Sequence, residues 1–355
     1  MPATDSAAAL PKVPVSVLIP VKNEKANIKA VIQSVAFADE VVVIDSHSTD
    51  GTIEMAEEMG ARVVQFDWDG KFPKKKNWAI MNVDWKHEWL LILDADEHIT
   101  PAGAAEIARI VTDPDSLDGY YLNRRFMFMG GWLKHCGYYP SWNLRLFKHA
   151  LGRYERLDDV GDTGSGDNEV HEHVLLRDAE GKELEAGWAK EDFLHYAYPD
   201  ISVWVEKHNR YSNWEARVIE GVRKGQTAEG SLQASPFGTP LERKRWIKKM
   251  AYKLPFRPFQ RFVYHYIVRK GFLDGRRGFI MCTLLGFYEF LGIAKAKELQ
   301  LQGERKEAPT PEPTARAAAE ALPANFKTLP EAKAAESRTN ESETVAAASG
   351  ATAES

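Results

Sequence analysis

Asp94, Asp96 and Glu97 stand within four residues of one another, directly after the apolar run Trp89–Leu93. Like charges at that spacing repel, so either they face open water or a cation binds among them. A carboxylate pair such as Asp94-Ala95-Asp96 can hold a divalent ion and meet the sugar or ribose of a nucleotide. Hard cations prefer oxygen ligands, and Mg²⁺ or Mn²⁺ commonly bridges carboxylate to phosphate. Asp45 ends the run "EVVVID", where a carboxylate can accept a hydrogen bond from a nucleobase N–H or cap a helix. In "PVKNE", Pro20 and the backbone around it, together with Glu24, can line a base-and-ribose pocket. Asn23 can equally satisfy turn backbone.

These residues need a scaffold that brings them to one place, and the first third of the chain supplies its pattern. "VSVLIP", "EVVVID", "RVVQF" and "WLLILD" are short apolar runs without polar alternation, which predicts buried strands. Between them Ile28, Val31, Ile32 and Val35 recur at helical spacing. Asp50 is placed to cap the next helix and Gly60 to close it. Pro73 is placed to begin a helix over "PKKKNWAIMNV", and Thr100-Pro101 to begin another as cap and first-turn proline. Buried strands separated by helices imply a parallel sheet covered on both faces. Ligands of such sheets bind beyond the carboxyl ends of the strands. "PVKNE", "DSHSTDGT" and "DADE" all fall at such ends.

After Ser116 the pattern becomes α+β, with strands over "GYYLNRRFMF" and "WNLRLFKH" and a helix from Ile201 to Val222. From Pro240 to Gly278 twelve Lys or Arg face only two acids, interleaved with aromatic residues. Such a segment suits an anionic membrane surface. "FIMCTLLGFYEFLGI" follows; it is too short to span a bilayer and carries Glu289, which implies a re-entrant or interfacial role. No ordinary membrane-spanning helix and no secretory signal are expected. Residues from about 303 onward are rich in Ala, Glu, Pro, Thr and Ser, the composition of a disordered tail. The net charge of −5 implies no global field for nucleic acid, and none is expected as a partner. Two distant cysteines, Cys136 and Cys282, supply neither a disulfide framework nor a thiolate metal site.

Taken in order, "SVLIPVKNE", "VVVIDSHSTDGT" and "LLILDADE" resemble a family 2 glycosyltransferase over about Val15 to Val111. The later "VHEHV", "FLHYAYPD", "KHNRYSNWEA" and "GFLDGRRGF" are similar to the lipopolysaccharide-core β-glucosyltransferase group. The resemblance implies a GT-A nucleotide-diphospho-sugar transferase fold, with a Rossmann-like, mostly parallel sheet and a C-terminal helical, membrane-associating extension. The expected layout is a flexible N-terminus (1–12), a nucleotide-sugar-binding half (13–115), an acceptor-binding half (116–235), a basic amphipathic helical region (236–300) and the tail (303–355).

By that similarity the donor is a nucleotide sugar, expected to be UDP-glucose, with the base near Asp45 and Glu24. Asp94 and Ala95 meet the ribose or sugar, and Asp96 holds Mg²⁺ or Mn²⁺ on the diphosphate. Lys76 stands where many relatives carry Arg, giving a point charge rather than a bidentate fork. Arg145 can hold a phosphate or an acceptor acid, or pair with a neighbour. An inverting transfer needs a general base in the acceptor half; Glu172 is the candidate, with Asp167 and Glu169 as rivals. His195 is a candidate extra metal ligand. The implied acceptor is a lipid-linked or lipopolysaccharide-core glycan, the implied location the cytoplasmic face of the inner membrane, and oligomeric state is left open. Transfer to polyprenyl phosphate and a non-catalytic, membrane-associated sugar-nucleotide-binding protein are the competing readings.

Overall fold

The structure, a computed structural model, describes residues 12–155, 173–223, 237 and 255–307. The chain divides into two compact units, Met1–Glu304 and Arg305–Ser355. The second is described only at the end of the last helix.

The first half alternates strand and helix as its apolar runs predict: β1 (Val13–Val21), α1 (Lys25–Ser34), β2 (Ala38–Asp45), α2 (Thr52–Glu58), β3 (Arg62–Gln65), α3 (Lys75–Asn82), β4 (Trp89–Ile92), β5 (Glu97–Ile99) and α4 (Pro101–Thr112). The second half contributes β6 (Gly119–Phe128), β7 (Gly131–Trp132), β8 (Trp142–Lys148), β9 (Gly152–Tyr154), β10 (Val174–Leu176), β11 (Gly187–His195) and α5 (Ile201–Arg223). Two further helices follow, α6 (Arg257–Val263) and α7 (Gly275–Glu307).

The main sheet runs β3-β2-β1-β4-β8-β6-β11-β5, with β7 on β6 and a separate β9–β10 pair. Pairs among β1, β2, β3 and β4 are parallel. Beyond β4 only β6–β11 is parallel; β4–β8, β6–β8 and β5–β11 are antiparallel. The sheet is therefore mixed, parallel where crossover helices connect strands and antiparallel where the second half is laid against it.

The strands are buried on both faces, which is why their sequences lack polar alternation. Val15, Val17 and Ile19 of β1 pack on one side with Ile28 and Val31 of α1 and Ile107 and Ile110 of α4. Leu18 points the other way, with Leu90, Ile92 and Ile80 of α3. Each such burial contributes about 1.5–3 kcal/mol. A third cluster joins Phe126 and Phe128 of β6 to Trp204 of α5 and to Met281 and Leu285 of α7.

Helix starts follow the capping residues. Thr100 Oγ1 accepts from the Gly103 N–H at 3.0 Å, a cap contributing about 1 kcal/mol. Asp50 accepts from the Thr52 N–H at 3.1 Å and from the Lys25 N–H at 3.0 Å, so one carboxylate ties the starts of α1 and α2. Gly60 closes α2 at φ +81°, a left-handed conformation that favours glycine. Pro73 does not begin α3; the helix starts at Lys75.

The apolar run after Gly278, too short by itself to span a bilayer, is part of a longer element, the 33-residue helix α7. The stretch Gly271–Gln302 is long and apolar enough to cross a membrane by length and composition alone, with a third of its apolar window buried in the protein. Polar and basic residues at the ends of the run hide this length from a reading of the run alone.

Candidate active site

The loops beyond β1 and β2 are locked together before any ligand is considered. Asn23 donates its N–H to Ser48 Oγ at 2.8 Å, and its Oδ1 accepts from the Thr49 N–H at 2.9 Å. The Glu24 N–H donates to Thr52 Oγ1 at 2.9 Å. Asn23 thus serves the turn backbone, and Glu24 is left with its side chain at a cleft of about 670 Å³.

That cleft brings together eight of the residues singled out in the sequence. Pro20 and Glu24 line it from the end of β1, and Lys76 lines it from α3. Asp94, Ala95 and Asp96 line it from the end of β4, and Arg145 and His195 from β8 and β11. Asp45 does not line it. Its carboxylate is fully buried, accepting from the Ser48 N–H at 2.9 Å and from the Ser48 hydroxyl. In this arrangement Asp45 caps the turn after β2. Glu172, Asp167 and Glu169 lie outside the described residues.

The three acids of the opening motif divide into two kinds. Asp94 Oδ1 meets Lys76 Nζ at 2.8 Å, and its Oδ2 meets Arg145 Nη2 at 3.0 Å. The same Arg145 nitrogen lies 2.6 Å from Glu97 Oε1, while Glu97 Oε2 accepts the Asp94 N–H at 3.0 Å. Burial alone would raise Asp94, but Lys76 and Arg145 outweigh it and hold the carboxyl well below the usual range. Complete burial pushes Glu97 upward, against the opposing pull of Arg145. Arg145 therefore pairs with internal acids through Nη2, while its Nε is buried without a hydrogen-bond partner. Of the three motif acids, Asp94 and Glu97 are thus paired with cations, and Asp96 is not paired with Lys or Arg.

Asp96 faces His195. The antiparallel pairing of β5 with β11 sets His195 opposite Glu97, and the Tyr196 N–H donates to the Asp96 carbonyl at 2.8 Å. That register holds His195 Nε2 3.5 Å from Asp96 Oδ1. Burial tends to raise Asp96, but the contact with His195 prevails and lowers it. His195 Nδ1 is buried without a hydrogen-bond partner. A neutral imidazole has one donor and one acceptor nitrogen, so either tautomer leaves a polar group unsatisfied. In the Nδ1–H tautomer the Nε2 lone pair faces the Asp96 carboxylate, and a cation between Nε2 and Oδ1 would relieve that repulsion. Two ligands each about 2.1 Å from one ion at near right angles lie about 3 Å apart, close to the separation present. The donor set fits a divalent ion whose remaining positions are filled by ligand oxygens. Among the described residues, no three His, Cys, Asp or Glu side chains gather as a self-sufficient metal site.

Several residues in or beside the cleft carry no readable signal in sequence. Lys75 donates to the Val21 carbonyl at 2.8 Å, and Asn77 clamps Tyr154 through its N–H (2.8 Å) and carbonyl (2.9 Å). With Lys76 on Asp94, three consecutive polar residues are buried on specific partners. Lys207 and Tyr211 of α5 also line the cleft, and Lys207 Nζ donates to the Ala197 carbonyl at 3.1 Å. Burial raises the Glu24 carboxyl, Asn27 opposes this, and Asp96 and Asp94 raise it further. The cleft is thus an electronegative spot flanked by cations, at the carboxyl ends of parallel strands.

A sheet of this kind, with a carboxylate motif after β4 and a mixed second half over the same cleft, defines the GT-A class of sugar-nucleotide transferases. Residues 16–165 match the profile of Glycosyl transferase family 2. That segment is a family 2 glycosyltransferase domain, and the chain is a transferase. It is 28% identical over 295 residues to an uncharacterized glycosyltransferase of Rickettsia typhi, covering 81% of this chain and 88% of that protein. It is 26% identical over 296 residues to the lipopolysaccharide core biosynthesis glycosyltransferase LpsC of Rhizobium meliloti, covering 81% and 93%. Among solved structures, it is similar to the mannosyltransferase PcManGT of Pyrobaculum calidifontis in complex with GDP-Man and Mn²⁺, at 15% identity, TM-score 0.38 and coverage of 81% and 88%. It is also similar to glucosyl-3-phosphoglycerate synthase of Mycobacterium tuberculosis in complex with Mn²⁺, UDP and glucosyl-3-phosphoglycerate, at 24% identity and TM-score 0.26. That match covers 32% of this chain and 44% of the other, so the chain spans under half of that protein's length.

Proposed function

We propose that the chain is an inverting, divalent-metal-dependent hexosyltransferase. It moves glucose from UDP-glucose to a lipid-linked saccharide of the lipopolysaccharide core. The observation that carries this reading is the facing pair Asp96 and His195, 3.5 Å apart at a cleft where the neighbouring acids Asp94 and Glu97 already have cationic partners. Similarity to LpsC over most of both chains supports the choice of acceptor.

In this reading Asp96 and His195 hold Mg²⁺ or Mn²⁺. The ion supplies neutralisation of charge on the diphosphate. Lys76 and Arg145 fix Asp94 so that its backbone and carboxylate present a rigid wall to ribose or sugar, with Ala95 and Pro20 beside it. Glu24 lines the ribose side. Lys207, across the cleft on α5, adds positive potential where the leaving diphosphate gathers charge. The acceptor hydroxyl attacks the anomeric carbon from the face opposite the diphosphate and gives up its proton to a base. Among the described residues the carboxylates lining the cleft are Glu24, Asp94 and Asp96, all on the donor side. His173 also lines the cleft; Glu172, its neighbour in sequence and outside the described residues, is the base in this reading.

The experiment is a screen of nucleotide sugars for Mn²⁺- or Mg²⁺-dependent UDP release with lipopolysaccharide-core oligosaccharide as acceptor. UDP-glucose is expected to be the preferred donor; no metal-dependent turnover with any nucleotide sugar would reject the reading. The length and composition of α7 favour a second acceptor, polyprenyl phosphate, and the same screen with that lipid in detergent separates the two.

Attachment to the cytoplasmic face of the inner membrane belongs to the same proposal. Phe256, Phe259, Ile267, Val268, Phe272 and Leu273 are exposed around α6 and the turn that follows it. Arg261, Arg269, Lys270, Arg276 and Arg277 are exposed among them. Apolar side chains that enter the headgroup layer with cations beside them suit anionic lipid. The protein is expected to co-sediment with phosphatidylglycerol-containing vesicles at low salt and to be partly released by high salt. Equal sedimentation with neutral and anionic vesicles, or none with either, would contradict this.

A further inference from the structure

We propose that Tyr121, Trp142 and Trp188 form a sugar-stacking subsite for the acceptor saccharide at the mouth of the cleft. The proposal rests on the transferase reading above for the identity of the acceptor, but its binding test does not.

Three adjacent strands, β8, β6 and β11, contribute one ring each. The β6–β11 register sets Trp188 directly opposite Tyr121. The β6–β8 register sets Trp142 opposite Asn123, two residues along from Tyr121 and on the same face. Tyr121 and Trp188 stack with centroids 4.7 Å apart and planes at 22°. Trp142 meets Trp188 edge-on at 4.9 Å and 89°. The result is a corner of two perpendicular aromatic planes. Trp188 is 59% exposed and Trp142 38% exposed, so large apolar faces are held open rather than packed away.

The surroundings indicate what covers them. Tyr121 and Trp142 also line the cleft that contains Asp96 and His195, so the corner is continuous with the site. It lies on the second-half strands, across β4 from the β1 and β2 loops where the nucleotide is expected. Three rings offer far less than the roughly 800 Å² per partner of a stable protein interface. The exposed basic residues that suit a membrane surface lie around α6 instead. A pyranose fits. One of its faces presents C–H groups with partial positive charge, which the negative face of an aromatic ring attracts. Its hydroxyls need nearby polar partners, and Ser141 and Asn143 line the same cleft.

The test is binding of lipopolysaccharide-core oligosaccharide, measured by saturation-transfer NMR and tryptophan fluorescence, beside calorimetric titration of UDP with Mn²⁺ on the same protein. Trp188→Ala is expected to weaken oligosaccharide binding about tenfold, and Trp188→Tyr, which keeps a ring face, by no more than about threefold. Trp142→Ala provides a second variant should Trp188→Ala fold poorly. In transfer assays the loss appears in the acceptor KM rather than in kcat. The proposal is overturned if the wild-type protein does not bind the oligosaccharide or if Trp188→Ala and Trp142→Ala both bind it as tightly as wild type. It is also overturned if UDP affinity falls in parallel, because the rings would then belong to the donor site. UDP binding without oligosaccharide binding rejects the subsite alone. Trp188-dependent oligosaccharide binding without UDP binding supports the subsite and rejects the transferase reading.

Discussion

Asp96→Asn is expected to lower metal-dependent transfer on the order of a thousandfold. The side chain keeps its shape and loses the one motif carboxylate that is not paired with Lys or Arg. Folding should be little affected, because the main-chain link from Tyr196 to the Asp96 carbonyl remains. The measurement is UDP release at saturating UDP-glucose and Mn²⁺, with a thermal melt as control. Turnover within a few-fold of wild type would remove the ion from Asp96. Glu172→Gln gives a different signature. UDP and Mn²⁺ should bind normally while transfer slows, since only the proton acceptor is lost. Near-normal turnover in that variant would pass the base to Asp167 or Glu169.

Arg145→Met is expected to be the most destabilising single change near the cleft. It leaves Asp94 with Lys76 alone and leaves the fully buried Glu97 without a cation. Orphaning a buried charge costs about 3–5 kcal/mol, or roughly 10 °C in melting temperature for a chain of this size. Adding Glu97→Gln should recover much of the loss, because the orphan is then neutral.

The pH dependence has a defined sign. Asp94 and Asp96 are depressed in the folded state, so their contribution is present above the ordinary carboxylate range and is lost as pH falls through the folded values. Glu97 moves the other way: a raised folded value costs stability as pH rises through it. Without Arg145 that upward push is unopposed. The Arg145→Met penalty should therefore be larger at pH 8 than at pH 5 in differential scanning fluorimetry. An equal penalty at both values would mean that Glu97 is not the group left bare.

The strands of the donor half could be read from sequence because their apolar runs are local and buried on both faces. Thr100-Pro101 and Gly60 marked helix ends for the same reason: caps act within one turn. The position of "DADE" at a strand end gave the cleft its location. What could not be read depends on contacts distant in sequence. Arg145 could be named as a phosphate holder or an ion-pair partner, but only the packing of β8 beside β4 decides that it pairs with Asp94 and Glu97. His195 meets Asp96 through the β5–β11 register, which no local pattern encodes. Asp45 and Ser48, three residues on, are bound to each other through the turn after β2, a link that the apolar run before them does not announce. The aromatic corner was invisible because Tyr121, Trp142 and Trp188 come from separate strands. Helix α7 outran its apolar core because charged residues at its ends continue the same helix.

Calorimetric titration of UDP into the wild-type protein, with and without Mn²⁺, reaches the central claim most directly. The arrangement of Asp96 and His195 predicts binding that strengthens at least tenfold with Mn²⁺, and loss of that gain in Asp96→Asn. UDP binding of equal strength with and without the ion, or no UDP binding at all, would contradict it.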